Sequence, residues 1–320
     1  MEVLRMLNKK FEFVGNLKKF LIGSVAVILI GLIVALVLGP VLDITFSGGT
    51  KITYSYDGKV DTDKIAQLAA DTIEKKVSVT TTSGVSDDSQ KLVVSLADKD
   101  ALDTKLIDKL TDKLAGKDFK DNKIQQEEVL SVSPSVGVIF FAKCLVAVVI
   151  AALLVIIYTA IRFRKIGGWL AGTSAMVALV HDILIAFTVS VIFRLPIDAN
   201  FIAVVMTLLG YSLNSTIVVF DRVRENKRIY GNKEPLDNLV NMSNNQVLSR
   251  NIMTNISTVV AILIVLIVCE FNGITSLRSL TVPLCFGLAS GAYSSVCLSP
   301  AVWVKWKESS DAKKKAKSKK

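Results

Sequence analysis

Six runs of about twenty apolar residues, at 20–39, 136–158, 168–193, 200–221, 251–270 and 281–303, constrain this chain more than any other feature. Each is long enough to cross the ~30 Å hydrocarbon core of a bilayer as a helix. Inside lipid the backbone has no water to bond, so a helix or a closed barrel is the only spanning form. The reading is an α-helical polytopic membrane protein with six transmembrane helices. Composition agrees, since 51% of the 320 residues are hydrophobic and the mean hydropathy is +0.50, more apolar than a soluble domain sustains. The first run is unbroken from Phe20 to Leu38, and "GPVLDITF" after it offers no small-x-small cleavage site. It reads as a retained span and not as a signal peptide.

The formal charge of +10 suggests nucleic acid until its placement is considered. Twenty-two Lys and Arg fall at the N-terminus, in the loops after the second and fourth spans, and in the tail after Trp303. The two short loops opposite carry only Arg194 and Arg278. Basic residues collect on the cytoplasmic side, so both termini are expected there. The terminal "KKKAKSKK" reads as a disordered run attracted to anionic membrane lipids. Cys144, Cys269, Cys285 and Cys297 all lie in apolar runs with no metal or disulfide spacing, so they read as packing residues. No metal or cofactor is expected.

Between the first two spans lies a polar segment on the outer face. Period-2 and period-3.6 apolar spacing, broken by Gly, Asp and Ser, predicts strand 50–56, helix 61–76, strand 77–82, a "SGVSDDSQ" turn, strand 91–97, helix 100–115 and strand 123–133. The order β-α-β-β-α-β is ferredoxin-like, an α+β unit. Its 13 Lys against 17 acidic residues speak against nucleic-acid binding. The expected organisation is a cytoplasmic N-terminus (1–19), the first span (20–39), an extracytoplasmic domain (40–135), a bundle of five further spans (136–303) and a basic cytoplasmic tail (304–320).

Within the spans a few polar residues stand out. Asp182 lies about 15 residues into the third span, which at ~1.5 Å per residue puts it ~22 Å deep, inside the hydrocarbon core. It shares a helical stripe with Gly168, Ala171, Ala175, Ala178 and Ala186. Small residues at that spacing form a helix–helix contact, so Asp182 should face the bundle. Either it carries a proton or ion, or it stays neutral and holds two helices together by hydrogen bonds. His181, the only histidine, either relays protons or simply packs. In the fourth span Thr207, Gly210, Tyr211, Asn214, Ser215, Val218, Asp221, Arg222 and Glu225 form a polar arc opposite an apolar one. The expectation is that this polar arc turns inward to line a hydrated path at the level of Asp182. Arg222 falls at the cytoplasmic boundary, ~12 Å from Asp182 along the normal, a separation that argues against a direct pair between them. The fifth span repeats the pattern with Asn251, Thr254, Asn255, Thr258 and Ala261 on one face, and the sixth carries a contact stripe of Gly287, Gly291 and Ser295.

The stretch "GYSLNSTIVVFDRVREN" (210–226) resembles the fourth-span signature of the SecF family, G-Y-S-x-N-D-T-x-V-x-F-D-R-x-R-E-N. SecF proteins are the smaller membrane subunits of the SecDF protein-export accessory complex. "ALVHDILIAF" resembles the family's third-span His-Asp motif, "SGGT" its first outer motif, and "YSS" at 293–295 its sixth-span motif. The resemblance extends over essentially the whole chain, including the "RFR" loop. It implies residence in the bacterial cytoplasmic membrane and a complex with SecD, forming a twelve-span bundle of the resistance-nodulation-division type. It further implies that the proton gradient, or sodium in some members, draws preprotein out of the SecYEG translocon, while the outer domain moves. Carried over, the intramembrane carboxylate is Asp182 and the arginine needed for activity is Arg222; Tyr211, Asn214 and His181 join them as ion- or proton-coupling residues. Two positions depart from the pattern: Ser215 stands where the family has Asp, and Thr45 where an Asp precedes Phe46. The first leaves Asp182 as the one mid-depth carboxylate. A small-molecule or lipid exporter of the same superfamily is the rival, although this chain has half the usual spans and outer domains. No catalytic set is visible, so an enzyme is not expected.

Overall fold

The computed structural model describes residues 11–58, 60–75, 77–83, 90–96, 102–116, 119, 122–231 and 233–317. Helix α1 (Leu17–Leu38) leads through the single turn α2 (Ile44–Ser47) into the outer domain. That domain consists of β1 (Gly49–Tyr56), α3 (Thr62–Ile73), β2 (Ser78–Ser83), β3 (Gln90–Leu96), α4 (Thr104–Leu114) and β4 (Gln125–Val132). The bundle follows as α5 (Pro134–Arg162), α6 (Gly168–Ile192), α7 (Ala199–Tyr230), α8 (Leu236–Phe271) and α9 (Arg278–Tyr293). A π-helical segment, Ser294–Leu298, joins α9 to α10 (Ser299–Lys317). Among the described residues six helices are thus long and apolar enough to cross a membrane, counting α9 to α10 as one. The mostly helical architecture with one small antiparallel sheet is the one expected.

The strands pair in the order β2-β3-β1-β4, all antiparallel, which is the ferredoxin-like arrangement. Alternate residues of β1 and β3 are buried, and Ile52, Tyr54, Leu92 and Val94 meet Ile65 and Ala69 of α3 and Leu110 and Leu114 of α4. Asp61 and Asp103 cap the two helices by accepting backbone N–H bonds. The "SGVSDDSQ" turn lies almost entirely outside the described residues.

The "SGGT" stretch is where this domain meets the membrane bundle. Gly48 has φ 78°, and a Cβ there would stand 2.6 Å from Cα of Pro134. Only glycine allows the crossing of α2 over α5. Phe46 then packs against Phe140 and Phe141 of α5. On the opposite edge, the Thr275 hydroxyl in the α8–α9 loop donates to the Thr81 carbonyl of β2 at 2.6 Å.

Burial sorts the spans into two layers. In the most apolar window of α1, α5 and α8 only 11% of residues are buried, against 56% in α6, 44% in α7 and 56% in the last span. The peripheral helices present rows of exposed Leu, Ile and Val, such as Ile22, Leu36, Leu154 and Ile264, the surface that lipid chains solvate. Helices of the two layers approach closely where their contact residues are small. A Cβ on Gly168 would lie 2.0 Å from the Ala160 carbonyl of α5, and one on Gly31 of α1 would lie 2.0 Å from the Thr188 hydroxyl of α6. The expected α6 stripe, Gly168, Ala171, Ala175, Ala178, Asp182 and Ala186, is buried throughout.

Two expectations need correction. The basic tail is not a disordered run as far as it is described, because α10 carries it as helix to Lys317. The fifth helix begins at Leu236, not near 251, and its added polar turns face the protein. Asn241 accepts from the backbone N–H of Phe13 and Val14, and Asn245 bonds both the N–H and the carbonyl of Phe11. A hydropathy window stops where polarity rises, although the helix continues wherever that polarity finds partners.

Candidate functional site

Asp182 is fully buried at the centre of the bundle. Its Oδ2 accepts from the Ser212 hydroxyl of α7 at 2.7 Å and from the Ser294 hydroxyl of the π segment at 2.8 Å. Its Oδ1 accepts from the Ser290 hydroxyl of α9 at 2.7 Å and lies 3.1 Å from Nδ1 of His181. One carboxylate therefore joins the three inner helices through hydroxyls. Among the described residues no Lys or Arg forms an ion pair with it; His181 is the one titratable partner.

The local sequence explains this convergence. Ser290 and Ser294 are four apart and share a face of the last span. Gly291 between them lets that face close on α6 and α7, since a Cβ there would stand 3.3 Å from Cβ of Ser212 and 3.4 Å from Oδ2 of Asp182. One step outward, a Cβ on Gly287 would meet Leu208 of α7 at 2.7 Å. The helix then widens into the π form at Ser294, which leaves its carbonyls off the α-helical ladder. The Val296 carbonyl finds a side-chain donor in Asn244 of α8 at 2.9 Å. Ser295 is buried at this junction, its hydroxyl turned back to Ala292.

His181 extends the cluster towards the first span. Its ring lies 5.9 Å from that of Tyr293, whose hydroxyl donates to the Phe20 carbonyl of α1 and sits 3.2 Å from the Ser24 hydroxyl. Three hydroxyls aimed at two oxygens is the pattern of a carboxylate acting only as acceptor. If Asp182 takes a proton it must donate, and a serine oxygen or Nδ1 of His181, 3.1 Å away, can accept, which reverses the direction of one bond in the cluster.

The fourth span differs from the expectation. The face of α7 turned into the bundle is Val204, Val205, Leu208, Leu209, Ser212, Ser215, Thr216, Val219 and Phe220. That is mostly the apolar side of the helix, with Ser212 and Phe220 added; of the polar arc only Ser215 is buried. Thr207, Gly210 and Asn214 are exposed, and a Cβ on Gly210 would meet nothing within 4 Å. Gly210 is thus not a contact residue within this chain, and Asn214 does not line a path beside Asp182. Tyr211 bonds Thr258 of α8 at 2.7 Å and the Thr254 carbonyl at 3.2 Å. Arg222 bonds Gln246 and Glu225 and shares no partner with Asp182. Of the fifth-span residues, Asn251 and Asn255 are buried while Thr254 is exposed.

The three serines that hold Asp182 were not singled out from sequence. Ser212 and Ser294 lie inside the quoted motifs "GYSLNS" and "YSS", but a serine hydroxyl carries no hydropathy signal. The available clue was spacing: Ser290, Gly291 and Ser294 form a small-residue face opposite the one intramembrane acid. A second polar knot lies at the outer end of the bundle. Asp198 caps α7 through the Phe201 N–H, and Ser279 and Asn200 both bond its Oδ2 at 3.0 Å. Burial pushes its carboxyl above the usual range, opposed by the Phe201 and Ser279 bonds.

The model of the family "Protein export membrane protein SecD/SecF, C-terminal" matches residues 111–309, from the second helix of the outer domain to α10. The chain belongs to the SecD/SecF family. The SecF protein translocase subunit of Alicyclobacillus acidocaldarius is 39% identical over 195 residues, 60% of each chain. The SecDF protein translocase subunit of Bacillus subtilis is 37% identical over 191 residues, 59% of this chain and 25% of that one. The crystal structure of SecDF from Thermus thermophilus, a translocon-associated membrane protein, superposes with a TM-score of 0.77 at 26% identity, covering 94% of this chain and 39% of that one. SecDF in a super-membrane-facing form gives 0.68 at 27% identity over 97% of this chain and 40% of that one. The matches span less than two thirds of these relatives' lengths. For this member of the SecD/SecF family the fold class is therefore established, together with multi-pass membrane residence.

Proposed function

We propose that this chain is the SecF-type subunit of a protein-export accessory complex, and that Asp182 is its ion-coupling carboxylate. The observation that carries the reading is the serine-bound Asp182 at the junction of the three inner helices, within a fold shared with translocon-associated SecDF. Proton uptake at Asp182 reverses or releases a hydroxyl bond to α7 or α9, and proton loss restores it, so the occupancy of one site alters the bonding between the inner helices. The outer domain is attached on two sides, at Gly48–Pro134 and at Thr275–Thr81, so changes in the α8–α9 loop reach it directly. The chain works on preprotein emerging from a SecYEG translocon and is not itself an enzyme.

SecD is the proposed partner, supported by the Bacillus relative, in which the matched region is a quarter of a longer SecDF chain. The exposed polar face of α7, with Thr207, Gly210 and Asn214, is the surface proposed to meet the partner's helices, because polar groups at mid-bilayer depth are costly against lipid. Tyr211 and Arg222 flank that face. The proposed orientation has both termini in the cytoplasm, supported by the positive-inside distribution, with the proposed boundaries 1–19, 20–39, 40–135, 136–303 and 304–320. Depletion of the chain should cause precursor proteins to accumulate, and the tagged chain should co-purify with a SecD protein. Normal precursor processing after depletion, with no SecD recovered, contradicts the proposal.

A further inference from the structure

A cavity of about 1380 Å³ opens where the apolar part of α7 ends, bounded by the end of α5, the turn Arg164–Ile166, the last turns of α7 and the middle of α8. Eight basic side chains line it against two acidic ones. The acids are already engaged: Asp221 pairs with Arg162 and Arg224, both at 2.9 Å, and Glu225 pairs with Arg222 at 2.7 Å. Arg164, Lys165, Arg228 and Arg250 have no ion pair or hydrogen bond among the described residues, and they come from three different elements. The positive-inside tendency explains basic loops, but it does not require four unpaired cations to converge on one cavity. Ile161, Ile166, Val218 and Val247 supply an apolar wall to the same space.

We propose that this cavity binds the phosphate headgroup of an anionic phospholipid, with Arg164, Lys165, Arg228 and Arg250 facing the phosphate oxygens and the apolar wall taking the start of an acyl chain. Guanidinium groups suit phosphate because their planar donors bond two oxygens at once. A basic pocket between transmembrane helices at the cytoplasmic boundary meets such lipids directly. The mixed lining favours a lipid over a free phosphate ion, which has no use for an apolar wall. The lipid's leaflet follows from the orientation proposed above. Binding in detergent does not depend on that orientation, so the two ideas fail separately.

The test is native mass spectrometry of the full chain in detergent, titrated with cardiolipin, phosphatidylglycerol or phosphatidylethanolamine. Saturable binding of cardiolipin or phosphatidylglycerol is expected, with phosphatidylethanolamine at least tenfold weaker. The variant Arg164→Gln/Arg228→Gln/Arg250→Gln should lose about tenfold in affinity. Lys305→Gln/Lys313→Gln/Lys317→Gln, which removes the same charge from α10, should change it less than twofold. Equal losses in the two variants reduce the effect to general surface attraction and overturn the site, as does no loss in the first. Competition by millimolar sodium phosphate, absent with sodium chloride at equal ionic strength, overturns the lipid assignment in favour of a soluble phosphate. If the triple variant has no thermal transition, Arg164→Gln and Arg228→Gln singly carry the comparison, each expected to lose about threefold.

Discussion

At the scale of single residues, the site depends on what is small as much as on what is charged. Gly291 faces Asp182 and Ser212 at distances that leave no room for a branched side chain. Gly291→Val should lower the thermal stability of the detergent-purified protein by about 1–3 kcal/mol, the usual cost of overpacking. It should abolish complementation of a depleted strain as well. Asp198 offers a separate check, through pH. Its carboxyl is raised by burial, so the folded state holds the proton more tightly than the unfolded chain does. That contribution to stability is complete below the ordinary Asp value and is lost as pH rises through the raised one. The melting temperature of Asp198→Asn should therefore fall less than that of the parent between pH ~4 and neutrality. Parallel curves for the two proteins are the contrary result.

At the scale of elements, the third and fourth spans show what sequence discloses and what it hides. In α6 one acid sat in a stripe of alanine and glycine, and the only economical place for that face was against other helices; it is buried there. In α7 the same logic turns the polar arc of Gly210, Asn214 and their neighbours inward, because hydropathy weighs only lipid against the chain's own interior. A chain built to sit beside another has a third environment, a neighbouring protein, and hydropathy cannot tell that from its own interior. The ferredoxin-like order of the outer domain was legible because period-2 and period-3.6 patterns alternate cleanly there. The π segment was not, since the partner of its freed Val296 carbonyl is Asn244 on a different helix, a tertiary contact that local periodicity does not register. Removing that donor by Asn244→Leu should leave a buried carbonyl unsatisfied, at a cost of about 1–3 kcal/mol. Because Ser294 opens the same segment, this variant should lose export activity more than a melting-matched variant in the outer domain.

At the scale of the whole molecule, α1, α5 and α8 present exposed apolar faces and pack against three more buried helices, one of which, α7, keeps an exposed polar face, and the outer domain is tied to the bundle at two places. In this arrangement one buried carboxylate is linked by hydroxyls to both neighbouring inner helices, and the proposed function makes it the place where an ion's arrival alters their bonding. The most direct test is preprotein export into inverted membrane vesicles carrying Asp182→Asn, measured with and without an imposed proton gradient. Asparagine keeps the shape of the side chain and removes its titration. The expected result is loss of the gradient-stimulated part of export, with the variant still folded and still co-purifying with SecD. Full gradient stimulation in that variant would show that Asp182 only holds the helices together, and would contradict its role as the coupling site.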